Sequence, residues 1–210
     1  LLLLVLIFLK GPYKDPDGKD NGYYPSSLLD AIADSGIVYK GIGIGFGDSI
    51  IDNERFGMTR FTYFTGSDAV FPYQDPTNAA QYYNFMKGKW ANGSDLVYGG
   101  LGYAGSSGAT STLSTYMFPG ESDPLGWATN GVYVNDTWDE TTANNPPKDR
   151  RFVQSAGPFT LKPGAVNNIT VGIVYGRGFD GDLFSSVRAL KRADTKAQAL
   201  FDACFKIFDP

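Results

Sequence analysis

The chain has 210 residues, no histidine, one cysteine and a net charge of −4. These counts exclude Ser-His-Asp and Cys-His nucleophile pairs, His-ligated zinc or haem, iron–sulfur clusters and intrachain disulfides. The acidic balance argues against a general nucleic-acid binder, which needs excess cations to neutralise phosphates. Glycine at 26 residues and aromatics at 15% describe a loop-rich, aromatic β protein.

The first nine residues, LLLLVLIFL, are all apolar. Nine residues cannot span a bilayer as a helix, which needs roughly 20. A strand buried on both faces is the simplest reading, with a leader remnant as the alternative. Gly11–Tyr24 is an acidic, turn-rich loop, and Ser27 with Asp30 has the spacing of a capped short helix to Ala33. Ile37–Ile44 reads as strand and runs into alternating glycines at 41, 43, 45 and 47. That G-x-G-x-G-x-G run lacks the spacing of a dinucleotide loop.

Gly57–Thr65 alternates as a strand. Asp75-Pro76 opens an expected helix to Lys87, with Ala79, Tyr82, Tyr83 and Met86 as its core stripe. Further strands are expected at Thr112–Met117, Gly131–Val134, Phe152–Leu161 and Asn168–Gly176. The Pro163-Gly164 turn between the last two predicts that they pair as a hairpin. Ser185–Ile207 carries a helical stripe through Val187, Leu190, Ala197, Phe201 and Cys204, with Ser185 or Ser186 as cap and Cys204 as a small core residue. The expected fold is therefore mainly β: an antiparallel, sandwich-like domain with short helices and a C-terminal α-helix. The expected division is an apolar strand or leader at 1–10, a β-rich domain at 11–184, and a helix at 185–208 leading to a linker.

Asp15, Asp17, Asp20 and Asn21 are the candidate calcium ligands, because clustered carboxylates and amides on a glycine-bent loop supply hard oxygens. The spacing is not that of an EF-hand, and a solvated Asx-rich turn explains the same residues. Asp48, Asp52, Asn53 and Glu54 form a second oxygen cluster, and Asp180 with Asp182 a third. Sugar chemistry needs only carboxylates and aromatic platforms. Trp90, Trp127, Trp138, Asp139 and Glu140 are the candidates for a carbohydrate-binding or carbohydrate-cleaving face.

Three segments carry a resemblance: Asp52-Asn53-Glu54-Arg55-Phe56-Gly57-Met58, Met117-Phe118-Pro119-Gly120-Glu121-Ser122-Asp123-Pro124, and Asp149 through Phe152 continuing from Ser155 to Gly164. Together they resemble modules of large secreted or cell-surface proteins of Bacteroidota-type bacteria that use type IX secretion. The resemblance implies an extracellular module beside other β domains and a C-terminal sorting domain, and it brings no catalytic residues. The expected function is a non-catalytic structural or adhesive module that contacts other domains of its chain or neighbouring subunits, through strand exchange if Leu1–Leu9 is donated. Calcium is the expected cofactor and polysaccharide the alternative partner. Nucleic acid and a transmembrane segment are not expected.

Overall fold

A computed structural model describes residues 2–12, 18–20, 30–33, 37–40, 43–66, 72–146, 148–159, 161, 163–179, 181–182 and 184–206. Strands form five two-stranded ladders among these residues, all antiparallel, and a long helix lies near the C-terminus. The protein is mainly β, as the alternation of its apolar residues requires. No helix among the described residues is long and apolar enough to cross a membrane.

The chain divides into two compact units, Leu1–Gly11 with Val166–Pro210, and Pro12–Ala165. The sequence-based division had set residues 1–10 and the last helix apart from 11–184. In the structure, strand pairing gathers both ends into one unit.

In the first unit, β1 (Leu2–Lys10) pairs antiparallel with β10 (Thr170–Arg177), from Leu2 opposite Arg177 to Lys10 opposite Thr170. The apolar run is thus a strand paired within its own chain. The expected hairpin between Phe152–Leu161 and Asn168–Gly176 does not form. The local Pro-Gly turn is overruled by pairing with strands distant in sequence: Thr170–Arg177 takes β1 and Arg150–Ser155 takes Arg60–Thr65. The α2 helix (Ser185–Asp202) packs on this ribbon through Gly176, where an added Cβ would lie 2.4 Å from the Leu190 backbone nitrogen. Neither expected serine caps α2. The Asp182 side chain accepts from the Phe184 N–H, while Ser186 Oγ accepts from the Gly178 N–H. Cys204 is exposed, just past the helix at φ +52°, and is not a core residue. The helix ends before the position that would have turned it inward.

In the second unit, the residues expected as a helix at 27–33 include β2 (Asp30–Ala33), which pairs with β3 (Ile37–Lys40); Ser27–Leu29 lie outside the described residues. Two short strands follow, β4 (Gly43–Ile44) and β5 (Arg55–Phe56). Strand β6 (Arg60–Thr65) pairs with β9 (Arg150–Ser155). Its period-2 pattern splits its contacts. Phe61 stacks on Phe152 at 5.7 Å, and on the other face Phe64 stacks on Phe85 at 5.1 Å.

Phe85 belongs to α1 (Ala79–Met86). That helix starts later than Asp75-Pro76 suggests, because Asn78 caps it by accepting from the Gln81 N–H at 3.1 Å. Its expected stripe is reversed: Tyr82, Tyr83 and Met86 face outward, and Phe85 is buried. A strong turn-and-cap signal set the helix, while the single phenylalanine outcompeted three amphipathic side chains for the core. The remaining ladder joins β7 (Val97–Gly99) to β8 (Ala109–Leu113). Of the strand expected at Thr112–Met117, only its first two residues lie in β8. Gly131–Val134 is turn, not strand.

Candidate functional site

Trp90 and Trp138 organise the second unit. Trp90 is wholly buried, and its ring meets Tyr63, Tyr73 and Tyr103 edge-on. Trp138 is 5% exposed and packs against Tyr98 and Phe118. Their indole N–H groups both donate into the glycine loop after β7, Trp90 to the Gly102 carbonyl at 2.9 Å and Trp138 to the Gly100 carbonyl at 3.0 Å. A buried indole N–H needs such a partner. The loop is thereby held from two points far apart in sequence. It also needs its glycines: at Gly99 (φ +89°) an added Cβ would meet the Gly108 carbonyl oxygen at 2.3 Å.

Fixing this loop beside the 136–144 turn leaves a cavity of about 580 Å³, within the range of small-molecule sites. Its walls are Tyr98 and Trp138, the backbone of Gly99, Gly100 and Gly108, and a polar edge that includes Asp136, Thr137 and Asn144. Tyr98 is the central ring. It stacks on Tyr133 with centroids 4.0 Å apart and planes 7° from parallel, and its carbonyl accepts from Thr110 Oγ1. Its hydroxyl is buried and completes no hydrogen bond. Burial is the main force raising its pKa above the usual 10, and Asp136 adds to the rise; the Trp138 backbone N–H opposes it. Asp136 and the Trp138 N–H are thus the polar groups beside this hydroxyl.

The candidate residues divide sharply. Trp138 lines the cavity. Trp90 gives its faces to the core and cannot serve as an open platform. Trp127 lies half-buried in a 3-10 turn, where its N–H and that of Ala128 donate to the buried Asp123 carboxylate at 2.9 and 2.8 Å. Asp139 accepts from the Thr142 N–H in a local turn, and Glu140 is held by Arg150 at 2.9 Å and by Asn145. Those two carboxylates are structural fasteners; among the described lining residues, Asp136 is the one carboxylate. Arg151 pairs with Asp149, as its position suggests, and also with Asp75 at 2.7 Å.

Asp15, Asp17 and Asn21, and likewise Asp180, lie outside the described residues. Asp20 lies among them, and its two oxygens accept from the Gly47 and Ser49 N–H groups at 2.8 and 2.7 Å. Asp48 accepts from Ile50 N–H and Asn53 Nδ2, Asp52 accepts from the Gly18 N–H, and Glu54 is fully buried. No three carboxylates or thiols converge as a metal site among the described residues.

Sequence reasoning missed Tyr98 and Asp136. Tyr98 stands in a Val-Tyr-Gly-Gly run with no acid beside it, and Asp136 is the middle of an Asn-Asp-Thr triplet. The usable signal was the doubled glycine after Tyr98, which marks a backbone that another group approaches closely. Searches against protein-family models, curated proteins and solved structures find no match for this chain.

Proposed function

We propose that the chain is a non-catalytic adhesive module of a larger extracellular or cell-surface protein, and that it holds a saccharide unit in the Tyr98–Trp138 cavity. The observation that carries this reading is the cavity itself: aromatic walls, a bare glycine backbone and a hydroxyl-, amide- and carboxylate-bearing edge. Sugars present apolar ring faces and many neutral hydroxyls, and that mixture is what such a surface complements. Hydrolysis by the usual route uses two facing carboxyl groups, and one carboxylate lines this cavity, so binding is favoured over cleavage.

The resemblance to type IX-exported modules supports the extracellular placement and the expectation of neighbouring β domains. Pairing of β1 with β10 satisfies the apolar strand internally, so adhesion does not require strand donation. Calcium remains an expectation attached to the 15–21 loop, separate from the cavity.

A glycan array probed with the labelled chain and with a Thr137→Trp variant tests the reading. Thr137 is exposed at the cavity edge, so a tryptophan there fills the opening without disturbing the core. The expected result is a saccharide signal for the wild type that the variant loses. A silent array, or a signal that the variant retains, overturns the proposal.

A further inference from the structure

We infer that the open face of the β1–β10 ribbon is the contact surface for a second copy of this chain, the two ribbons packing face to face about a two-fold axis. An antiparallel sheet with one face in water ordinarily turns its apolar residues inward and its polar residues outward. Strand β10 does the reverse. Gly172, Val174 and Gly176 stand on the face that α2 covers, and a side chain added at Gly176 would strike the α2 backbone. The alternation puts Val171, Ile173 and Tyr175 on the opposite face, where they are 50%, 72% and 69% exposed. Phe179, 84% exposed, extends that face, since the Arg177 guanidinium lies over its ring at 5.1 Å. Leu6, paired with Ile173 and half-buried, adjoins them from β1. The strand gives glycines to its helix and large apolar side chains to solvent, a distribution that is stabilising only when a further layer covers the outer side.

Area and charge select that layer. At about 200 Å² for each aromatic side chain, Tyr175 and Phe179 expose roughly 300 Å² together. Val171 and Ile173 bring the patch to about 500 Å², near the upper end of what a monomer leaves contiguous. Two such patches pressed together bury about 1,000 Å², the area at which specific association begins. Arg177 is the one charged side chain of β10 and stands at the end of the face, so the centre is matched by a surface as apolar as itself. A second copy supplies that surface by symmetry.

The same arginine sets the direction of packing. A two-fold axis through Ile173 and perpendicular to the strands lays Tyr175 against the partner's Val171. It separates the two Arg177 positions by about 26 Å, eight strand residues at about 3.3 Å each, well beyond the screening length of about 8 Å. Parallel strands would set the two cations side by side.

The test is sedimentation equilibrium of the whole chain over a concentration series. The wild type should pass from monomer to dimer with a dissociation constant of about 1–100 μM, as fits an interface of minimal area. Ile173→Glu places two like charges at the centre and should weaken the dimer at least tenfold. Its melting temperature at monomeric concentration should equal that of the wild type, because the position is open to solvent there. Tyr175→Lys serves in its place if that variant does not fold. In a Cys204→Ser background, Ile173→Cys should form an oxidised dimer readily, and Arg177→Cys should not.

The inference falls if the wild type stays monomeric up to about 1 mM. It falls equally if both variants dimerise as the wild type does, which would place the contact elsewhere. A lower melting temperature of Ile173→Glu at monomeric concentration would mean that the chain covers this face itself. Wild-type binding to phosphatidylcholine vesicles that Ile173→Glu abolishes would make a lipid surface the occupant and overturn the dimer.

Discussion

The two units solve the same problem, burying a sheet, by opposite means. The unit of β1, β10 and α2 uses regular elements and close backbone approach, with Gly176 letting the helix lie directly on the strand. The outer face of β10 stays apolar, with Ile173 72% and Tyr175 69% exposed. Among its described residues, the Pro12–Ala165 unit has short strands, one short α-helix and two 3-10 turns. It is held by an aromatic cluster and by side chains that bond to loop backbone, such as Trp90 to Gly102, Trp138 to Gly100 and Tyr116 to Met58. Regular elements satisfy their own backbone, whereas loops need side chains to do it. A unit built the second way has irregular, well-anchored surfaces, and that is where its cavity lies.

The comparison can be broken most forcefully at Trp90. Trp90→Ala removes the largest fully buried side chain and one of the two N–H donors to the Gly102 carbonyl, which keeps the Val97 N–H, so we expect a loss of about 3–5 kcal/mol in urea unfolding. Hydrogen exchange should report that loss within residues 43–159, with α2 as the internal control. Equal loss in both units would show that they melt as one.

A smaller effect is expected from Gly176→Val, since a side chain there meets the α2 backbone. Overpacking of this kind costs about 1–3 kcal/mol. The expected signature is faster exchange in α2 and β10. Unchanged α2 protection would mean that the strand–helix contact is looser than described.

The mildest probe is alkali. Tyr63, Tyr73, Tyr98 and Tyr116, all in the second unit, have pKa values raised above 10, in each case chiefly by burial. The folded state therefore holds these protons more tightly than the unfolded chain, whose tyrosines titrate near 10. That contribution is fully present below about pH 10 and is lost as pH climbs through the folded values. Denaturant midpoints should fall above about pH 10, and tyrosinate absorbance should lag behind that of the unfolded chain. Coincident titration curves would remove the burial argument.

Legibility from sequence followed how local the cause was. The α2 helix was readable because its stripe repeats over several turns, and β6 because its alternation is strict. The partner of β9 was not readable: Pro163-Gly164 is a strong local turn, but pairing is decided by distant apolar strands. In α1 the caps were partly legible and the buried face was not, since Tyr82, Tyr83 and Phe85 look alike until a core is present to choose among them. Trp138 was marked for its ring, yet its N–H, bonded to Gly100, is what shapes the site. Tyr98 and Asp136 are brought together only by folding, and no spacing rule connects them.

The register of β1 has a consequence for synthesis. Lys10 lies opposite Thr170, so β1 is synthesised 160 positions (170 − 10) ahead of the residue that begins its mate. Until the ribosome has delivered that mate, the apolar residues Leu2–Leu9 of β1 travel unpaired, and closing so long a loop is entropically slow. The nascent chain is therefore a natural client for holdase chaperones, and its yield on expression is set by how long that strand is kept from its own kind.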